Sequence, residues 1–238
     1  MQGGTARRAG RAARGLLLGL AVLLSSGCSG SDQADTSGLI ATEAQAWRVE
    51  AESPAARVSY RDGMSEIDTP AGLSLWYGRE IEGPVAISFE AMAVAEDGPN
   101  DEVSDLNAFW MATDPKAPDG SVLTPGRSGA FATYDDLRTY YVGIGGNRNT
   151  TTRFRRYIGE PGNRPILPEH DLASAAAMLV PNQWTAVRLI ADGNTIAVER
   201  DGRRLFTLQD PAPYTRGWFA IRTTKSHLRV RNLRITPL

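Results

Sequence analysis

Residues 184–208 read WTAVRLIADGNTIAVERDGRRLFTL and decide the fold, because they hold three runs of alternating side chains separated by two turn signals. Asp192-Gly193 and Asp201-Gly202 supply the positive backbone φ that tight hairpin turns require. Short alternating runs on both sides of such turns are typical of antiparallel strands. This stretch therefore predicts a meander of three consecutive β-strands.

The same pattern continues over the rest of the chain from Trp47 onward. A hairpin is expected at residues 57–67, with Asp62-Gly63 at its turn. The chain closes with strands between residues 217 and 235. In the last of these the apolar residues change phase, so a β-bulge near Arg231-Asn232 is expected to restore their inward orientation.

One segment is predicted to be helical, a short helix near residues 170–179. Asp171 could cap it, the following residues are rich in alanine, and Pro181 would stop it. A single short helix among so many strands predicts an all-β fold with one antiparallel β-sandwich. A jelly roll is favoured over an immunoglobulin-like arrangement, because the strands are too numerous for one immunoglobulin module.

The first 27 residues (1–27) are predicted to be a lipoprotein signal peptide. Four arginines precede an apolar run at residues 16–24, which is too short to span a bilayer comfortably. Cys28, the single cysteine, follows Ser25-Ser26-Gly27, and this arrangement resembles a bacterial lipobox. We therefore expect lipidation of Cys28 after cleavage. The alternative is an ordinary signal peptide with an incidental cysteine.

Residues 28–45 are predicted to be a flexible tether, and residues 46–238 the folded β-sandwich domain. Ser29 follows the cysteine, which resembles lipoproteins sorted to the outer membrane. The sequence thus predicts an exported lipoprotein on the periplasmic or surface face of that membrane, in contact with it through the N-terminal lipid. Beyond residue 27 the chain holds 22 basic and 27 acidic residues, and this balance argues against a nucleic-acid partner.

Residues 151–158 form a predicted strand whose side chains alternate between two faces. Arg153, Arg155 and Tyr157 share one face, whereas Phe154 and Ile158 share the other and are expected in the core. Arginine binds carboxylates through two parallel hydrogen bonds, so the first face would suit an acidic sugar. The alternative is a solvent-facing strand whose arginines pair with nearby acidic side chains.

Three stretches, at residues 105–112, 140–157 and 217–222, carry a family resemblance. Together they resemble an uncharacterised family, a domain of unknown function, of secreted bacterial domains. The family has a concanavalin A-like jelly-roll fold and accompanies polysaccharide-degrading enzymes. The resemblance covers roughly residues 47–238 and implies a glycan context, without assigning a catalytic residue.

An acidic polysaccharide can be cleaved by β-elimination, which needs a neutraliser for the uronate carboxylate, a base and an acid. Tyrosine beside arginine could act as base or acid, because positive charge lowers its pKa. Asn107 and an arginine are the candidate neutralisers, and Trp76 and Trp110 could stack on sugar rings. The candidate catalytic residues are Tyr141, Tyr157 and His170. The candidate substrate-binding residues are Asn107, Trp110, Tyr140, Asn147, Arg153, Arg155 and Trp76.

Hydrolysis and metal binding have weaker signals. Glu66-Ile67-Asp68 begins the pattern of laminarinase-like retaining hydrolases, which use two nearby carboxylates, but its last acid is missing. The acidic loop at residues 96–102 offers oxygen atoms that calcium could use, although without regular ligand spacing. No metal site and no cofactor is predicted, and calcium stays open.

Two functions remain from the sequence. The first is an outer-membrane-anchored, glycan-active protein, a polysaccharide lyase or glycoside hydrolase of an acidic polysaccharide, with β-elimination favoured over retaining hydrolysis. The second is a non-catalytic carbohydrate-binding lipoprotein on the same fold, holding glycan for other enzymes. Both predict a poly- or oligosaccharide as the partner.

Overall fold

The structure, a computed structural model, describes residues 1–4 and 44–238. The chain divides into two units, Met1–Asp35 and Thr36–Leu238, and every element below belongs to the second. The predicted signal peptide (1–27), Cys28 and the tether (28–45) lie outside the described residues, apart from residues 1–4 and 44–45. Within the described part of the chain, no helix has the length and apolar character needed to cross a membrane.

Strands make up nearly all of the regular structure in this unit. In chain order they are β1 (Trp47–Ala51), β2 (Arg57–Arg61), β3 (Met64–Thr69), β4 (Leu73–Tyr77), β5 (Ile81–Glu82), β6 (Val85–Ala93), β7 (Leu106–Thr113), β8 (Arg138–Gly145), β9 (Thr151–Ile158), β10 (Asp171–Leu172), β11 (Thr185–Asp192), β12 (Thr195–Arg200), β13 (Arg203–Gln209), β14 (Arg216–Thr223) and β15 (Ser226–Pro237). One four-residue helix, α1 (Gly146–Asn149), lies in the turn between β8 and β9.

The strands form two antiparallel sheets. The seven-stranded sheet has the order β13-β12-β11-β6-β15-β3-β2. The eight-stranded sheet has the order β1-β4-β14-β7-β8-β9-β10, with β5 paired to β14 outside this path. Consecutive neighbours in both sheets are often distant in the chain, as in a jelly roll, so the predicted all-β sandwich is confirmed.

The local strand predictions are confirmed as well. The stretch at residues 184–208 forms β11, β12 and β13 in the predicted antiparallel order. The Asp62-Gly63 turn joins β2 to β3, with φ angles of 52° and 72°. In β15 the register with β6 shifts between Arg231 and Arg234, and Asn232 has a φ of 56°, which is the expected bulge.

The helix predicted near residues 170–179 is corrected, because two 3-10 turns form there instead, Pro168–His170 and Ala175–Ala177. Residues 171–172 instead form β10, which pairs with β9. The Thr152 hydroxyl donates to the carbonyl of Ala177 at 2.6 Å. Bonding to the neighbouring strand therefore outweighs the helix propensity of alanine here.

The main core lies between the two sheets. Alternate residues of each strand fill it, including the fully buried Trp110, Phe154 and Phe219 from the eight-stranded sheet and Leu189 and Leu228 from the other. Burying each such side chain contributes about 1.5–3 kcal/mol relative to leaving it in water. Phe154 occupies the core as the alternation of β9 predicts.

A second apolar cluster lies on the outer face of the eight-stranded sheet. The long segment at residues 114–137 crosses this face and packs Val122, Tyr134 and Leu137 against Trp76 and Phe109. The segment covers one part of the outer face only. The uncovered part holds the cavity described next.

Candidate functional site

Two rows of side chains cross the uncovered part of the eight-stranded sheet. Asn107, Gly143 and Arg153 are in register across β7, β8 and β9, and Phe109, Tyr141 and Arg155 form the adjacent row. Neighbouring strands lie about 4.8 Å apart, so Asn107 and Arg153 flank a gap two strand spacings wide. Because Gly143 has no side chain, the ends of the Asn107 and Tyr141 side chains can come close above it.

This gap is the floor of a cavity of about 440 Å³. Phe131, at the end of the covering segment, contributes to one wall, and the turn around Asn147 to another. The cavity is lined by five cationic side chains and two carboxylates, namely Arg148, Arg153, Arg155, Arg164 and Lys225 against Glu102 and Asp105. The excess of positive charge makes it suited to an anionic ligand.

Three of these cations are paired with acids. Arg153 makes two hydrogen bonds to the Asp171 carboxylate, at 2.8 and 3.1 Å. The Arg164 Nε lies 2.9 Å from a carboxylate oxygen of Asp135, and Lys225 lies 3.6 Å from Glu102.

Arg155 and Arg148 differ from the other three cations. Arg155 donates to the backbone carbonyl of Arg164, which fixes its position without neutralising its charge. Within residues 1–4 and 44–238, no carboxylate lies in salt-bridge distance of Arg155 or of the exposed Arg148. These two guanidinium groups are therefore available to a ligand.

Two oxygen atoms meet above the glycine. A Cβ atom placed on Gly143 would lie 2.6 Å from the Tyr141 hydroxyl and 2.8 Å from Asn107 Oδ1. Asn107 is 2% exposed, and its Oδ1 is buried without a hydrogen-bond partner. Its Nδ2 donates to Asp105 Oδ1 over 3.4 Å. The floor of the cavity is thus polar and only partly satisfied by the protein.

The tyrosine hydroxyls at this site keep their protons. Burial is the main cause that raises the pKa of Tyr141 well above its usual range, and Asp105 and Tyr157 add to it more than Arg222 and Arg155 oppose it. Burial also raises the pKa of Tyr157 to about 12. The expectation that arginine would lower these pKa values is wrong, because desolvation of the phenolate outweighs the nearby positive charge.

The family of the chain follows from a sequence comparison. The profile of DUF6250, described as a domain of unknown function, matches residues 67–233. The chain belongs to the DUF6250 family. No curated protein matches its sequence.

Solved structures share the fold of this DUF6250 domain at low sequence identity. A protein of unknown function with a galectin-like fold from Bacillus subtilis superposes with a TM-score of 0.61 and 13% identity over 83% of this chain and 93% of that one. The carbohydrate-binding module CBM66 from Bacillus subtilis gives 0.53 and 8% identity over 80% and 94%. The exoplasmic/lumenal domain of VIP36, in a form bound to Ca2+ and Man3GlcNAc, gives 0.54 and 12% identity over 84% and 87%. These similarities confirm the concanavalin A-like jelly-roll fold that the sequence resemblance implies.

The structure brings together half of the predicted site residues in the DUF6250 domain. The ones that line the cavity are Asn107, Tyr141, Asn147, Arg153 and Arg155. They come from β7, β8, β9 and the turn between the last two. Their predicted roles remain hypotheses, which are taken up below.

Three predicted site residues lie on the inner side of the eight-stranded sheet. Trp110 and Tyr140 are fully buried between the sheets, and the Tyr140 hydroxyl donates to Asp210 at 2.7 Å. His170 is 4% exposed, with its Nε2 3.1 Å from the carbonyl of Thr207. The prediction that these side chains contact substrate is corrected, because no ligand on the outer face can reach them.

Trp76 and Tyr157 lie on the outer face of the eight-stranded sheet, but other residues cover them. Both are fully buried in the outer cluster beneath the segment at residues 114–137. The Trp76 Nε1 and the Tyr134 hydroxyl each donate to Glu50 Oε2 at 2.9 Å. A groove function for Trp76 and a catalytic function for Tyr157 are therefore corrected, because the covering segment occupies the space a sugar would need.

Several cavity residues were not found by the sequence reasoning. Gly143 and Asp105 shape the floor, while Arg164, Lys225 and Phe131 come from distant segments of the chain. Asp105 has a φ of 57°, an uncommon conformation for a non-glycine residue. Its position directly before β7 was the one available signal.

In the acidic loop at residues 96–102, the Asp101 carboxylate is engaged by other groups of the protein. One oxygen of Asp101 accepts from the backbone amides of Glu96 and Gly98, and the other lies 3.0 Å from His227 Nδ1. In the described part of the chain, no group of three or more His, Cys, Asp or Glu side chains is arranged to hold a metal ion.

Proposed function

We propose that this DUF6250 domain binds an acidic saccharide in the cavity over Gly143. The observation that carries the proposal is the pair of cations without acidic partners, Arg155 and Arg148, in a cavity whose three other cations are each paired with an acid. Beyond residue 27 the chain holds more acidic than basic residues. Positive charge is thus concentrated at this cavity, against the overall balance of the chain.

The geometry fits a sugar with a carboxylate or a sulfate ester. The cavity of about 440 Å³ above Asn107, Gly143 and Arg153 has room for a sugar ring. The Arg155 guanidinium, held by the Arg164 carbonyl, has further N–H groups for an anion. Charge-assisted hydrogen bonds of this kind are about twice as strong as neutral ones.

The fold neighbours support a glycan ligand. Two of them are named for carbohydrate binding, CBM66 as a carbohydrate-binding module and the VIP36 domain by its bound Man3GlcNAc. This chain shares their fold, and we extend their class of ligand, a saccharide, to it. The anionic nature of the ligand comes from the cavity of this chain alone.

The proposal includes an anchor at the N-terminus. The lipobox-like sequence at Cys28 would place the domain on the outer membrane through an acylated cysteine and a tether. Mass spectrometry of the mature N-terminus after expression in a Gram-negative host tests this. A chain that starts at residue 28 with acyl groups supports the anchor, whereas an unmodified Cys28 contradicts it.

Binding is best tested with oligosaccharides of matched size. Calorimetry should show binding of uronate oligosaccharides that weakens with added salt, and no binding of neutral oligosaccharides of the same length. Arg155→Gln should weaken uronate binding about 10- to 100-fold, since a charge-assisted hydrogen bond contributes about 1.5–3 kcal/mol. The matched control is Arg203→Gln, which removes the same positive charge from an exposed position on the other sheet.

Equal effects of the two arginine substitutions would contradict the assignment of the cavity. A general loss of positive charge, rather than a defined site, would then explain the binding.

One observation favours a catalytic variant of this function. Arg155 and Tyr141 line the same cavity, where Arg155 could neutralise a uronate carboxylate and Tyr141 could protonate the leaving oxygen, with water as the base that takes the C5 proton. The raised pKa of Tyr141 suits an acid better than a base. Binding is therefore the primary proposal and β-elimination the second.

The catalytic variant is tested by ultraviolet absorbance of the unsaturated product during incubation with uronate polysaccharides. An increase that is lost in Tyr141→Phe supports β-elimination. A flat trace across the substrates that bind leaves a binding domain.

A further inference from the structure

A buried acceptor without a donor lies at the floor of the cavity. Asn107 Oδ1 is shielded from solvent and has no hydrogen-bond partner, in a residue that is 2% exposed. Nearly all buried polar atoms in proteins are hydrogen-bonded, and a buried atom without a partner is an exception that needs an explanation. Its position in the wall of the cavity links it to a ligand.

The orientation of this amide is fixed by chemistry. Asp105 Oδ1 lies 3.4 Å from Asn107 Nδ2. The other oxygen of Asp105 accepts hydrogen bonds from Ser104 at 2.5 Å and Thr224 at 2.7 Å. A carboxylate can only accept, so the amide nitrogen must face Asp105 and the amide oxygen must face the space above Gly143.

The Tyr141 hydroxyl is the second oxygen in this space. It lies 2.6 Å from the point where a Gly143 Cβ would stand, and Asn107 Oδ1 lies 2.8 Å from the same point. The raised pKa of Tyr141 keeps its proton in place. If Tyr141 donates that proton to Oδ1, its own lone pairs are left to the ligand.

The ligand must bring a hydrogen-bond donor whether or not Tyr141 donates to Asn107 Oδ1. If the ligand reaches Oδ1 directly, it must bring a donor. If Tyr141 donates to Oδ1, the Tyr141 oxygen becomes the acceptor, and the ligand must again bring a donor. The arginines on the opposite side of the gap demand an acceptor with negative charge.

We propose that Asp105, through Asn107, sets the cavity floor to accept a hydrogen bond, so that the site selects an acidic sugar with a free hydroxyl beside its anionic group. Asp105 is a positioning residue in this scheme, because it acts through Asn107. The inference rests on the proposed function and narrows its ligand. Uronates whose hydroxyls carry O-acetyl groups are rejected, because they offer acceptors where a donor is needed.

The test compares two forms of the same oligosaccharide, one with free hydroxyl groups and one with those groups O-acetylated. Oligogalacturonate and oligomannuronate, each in free and fully O-acetylated form, are titrated against the full chain by calorimetry. The wild-type chain should bind the free form at least about ten-fold more tightly, as expected for a site with a buried unpaired acceptor. Equal affinities for the two forms would overturn the inference while leaving the proposed function intact.

Asp105→Asn separates positioning from simple exclusion of bulk. An asparagine at 105 can accept or donate, so Asn107 is free to rotate its amide and present Nδ2 to the cavity. The ratio of the two affinities should then fall by several-fold, with the free form weakened and the acetylated form strengthened. If the acetyl groups were excluded by size alone, the ratio would not change in this variant, and the inference would fail.

Two further variants keep the test decisive. Thr224→Val removes a donor to Asp105 but keeps its carboxylate, so the Asn107 amide keeps its orientation and the ratio should not change. Tyr141→Phe should weaken the free form and leave the acetylated form unchanged. Absence of any uronate binding by the wild-type chain would instead overturn the proposed function, and this inference with it.

Discussion

The outer faces of the two sheets both carry arginines, but the arginines serve different purposes. On the seven-stranded sheet each of three arginines stands directly opposite an acid in the neighbouring strand. The pairs are Arg188 with Glu199, Arg229 with Glu66, and Arg231 with Glu90. All three pairs form salt bridges, with nitrogen–oxygen distances of 3.4, 2.9 and 2.7 Å.

On the eight-stranded sheet the partners across the strand are different. Arg155 stands opposite Tyr141, and Arg153 stands opposite Gly143 on one side and Asp171 on the other. Directly opposite side chains are the main interacting pairs in a sheet. The residue across the strand therefore distinguishes a structural arginine from one that is available to a ligand.

The covering segment is a second difference between the two faces, and its attachment gives the largest expected effect. Glu50 is 3% exposed and accepts hydrogen bonds from Trp76, Tyr134 and the amide of Arg127. Glu50→Ala removes the acceptor of three hydrogen bonds, two of them from fully buried side chains, so the free energy of unfolding should fall by about 3 kcal/mol or more. Urea unfolding followed by tryptophan fluorescence measures it.

The control for that experiment is a carboxylate on the other face. Glu90→Ala removes the partly exposed pair with Arg231 and should cost about 0–1 kcal/mol. Similar losses in both variants would show that the segment at residues 114–137 does not depend on Glu50.

Gly143 gives the next effect, on binding. In Gly143→Ala the new Cβ would lie within 3 Å of the Tyr141 hydroxyl and of Asn107 Oδ1, so both side chains must shift. Moving them displaces both floor oxygens, so uronate affinity should fall about ten-fold, the loss of one good hydrogen bond to the ligand. Calorimetry with Ala186→Val, an exposed addition on the seven-stranded face, is the control and should show unchanged affinity. An unchanged affinity in Gly143→Ala would place the ligand elsewhere.

The sequence was sufficient for the features that depend on neighbouring residues. The Asp-Gly turns, the phase change in β15 and the alternation of β9 each follow from a few adjacent positions. For the same reason the sequence alone places Arg153 and Arg155 on one face. Asn107 and Tyr141 meet them because β7, β8 and β9 are adjacent in the sheet.

The errors concern which face of a strand is inside. Tyr140 and Tyr141 are adjacent and chemically alike, yet Tyr140 lies in the main core and Tyr141 in the outer cluster. Strands that are buried on both faces lose the alternation that marks the inward side. The groove function expected for Trp76 is wrong for a related reason, because only the fold reveals that the segment at residues 114–137, 38 to 61 positions further along the chain, covers it.

Arg155 and its neighbour Arg156 show the same difference between an available and a paired arginine within one strand. Arg156 points to the inner side and donates to Asp210 at 2.7 Å. Burial alone would raise the pKa of Asp210, but hydrogen bonds from Arg156, Tyr140 and the Ala212 amide outweigh it and hold the pKa below its usual value. A carboxyl whose folded pKa is lowered stabilises the fold above its unfolded pKa and loses that contribution as the pH falls.

Asp210→Asn should therefore destabilise the chain most near pH 6, by about 1–3 kcal/mol. The difference from the wild-type chain should shrink as the pH falls from about 5 to about 3, through the unfolded pKa near 3.9 and toward the lower folded value. Urea unfolding at a series of pH values checks this. A difference that is constant with pH would show that the ionised form of Asp210 contributes nothing.

The smallest expected effect comes from a substitution that releases one more arginine on the outer face of the eight-stranded sheet. Asp171→Asn releases Arg153 from its carboxylate partner, so a third guanidinium becomes available at the cavity. Uronate affinity should rise about two- to three-fold, because a partly exposed ion pair contributes about 0.2–1 kcal/mol. Glu90→Gln releases Arg231 on the opposite face in the same way. It adds the same unit of charge to the chain, and it should leave the affinity unchanged. If both substitutions raise the affinity equally, the ligand responds to net charge rather than to a site, and the distinction between the two faces does not hold.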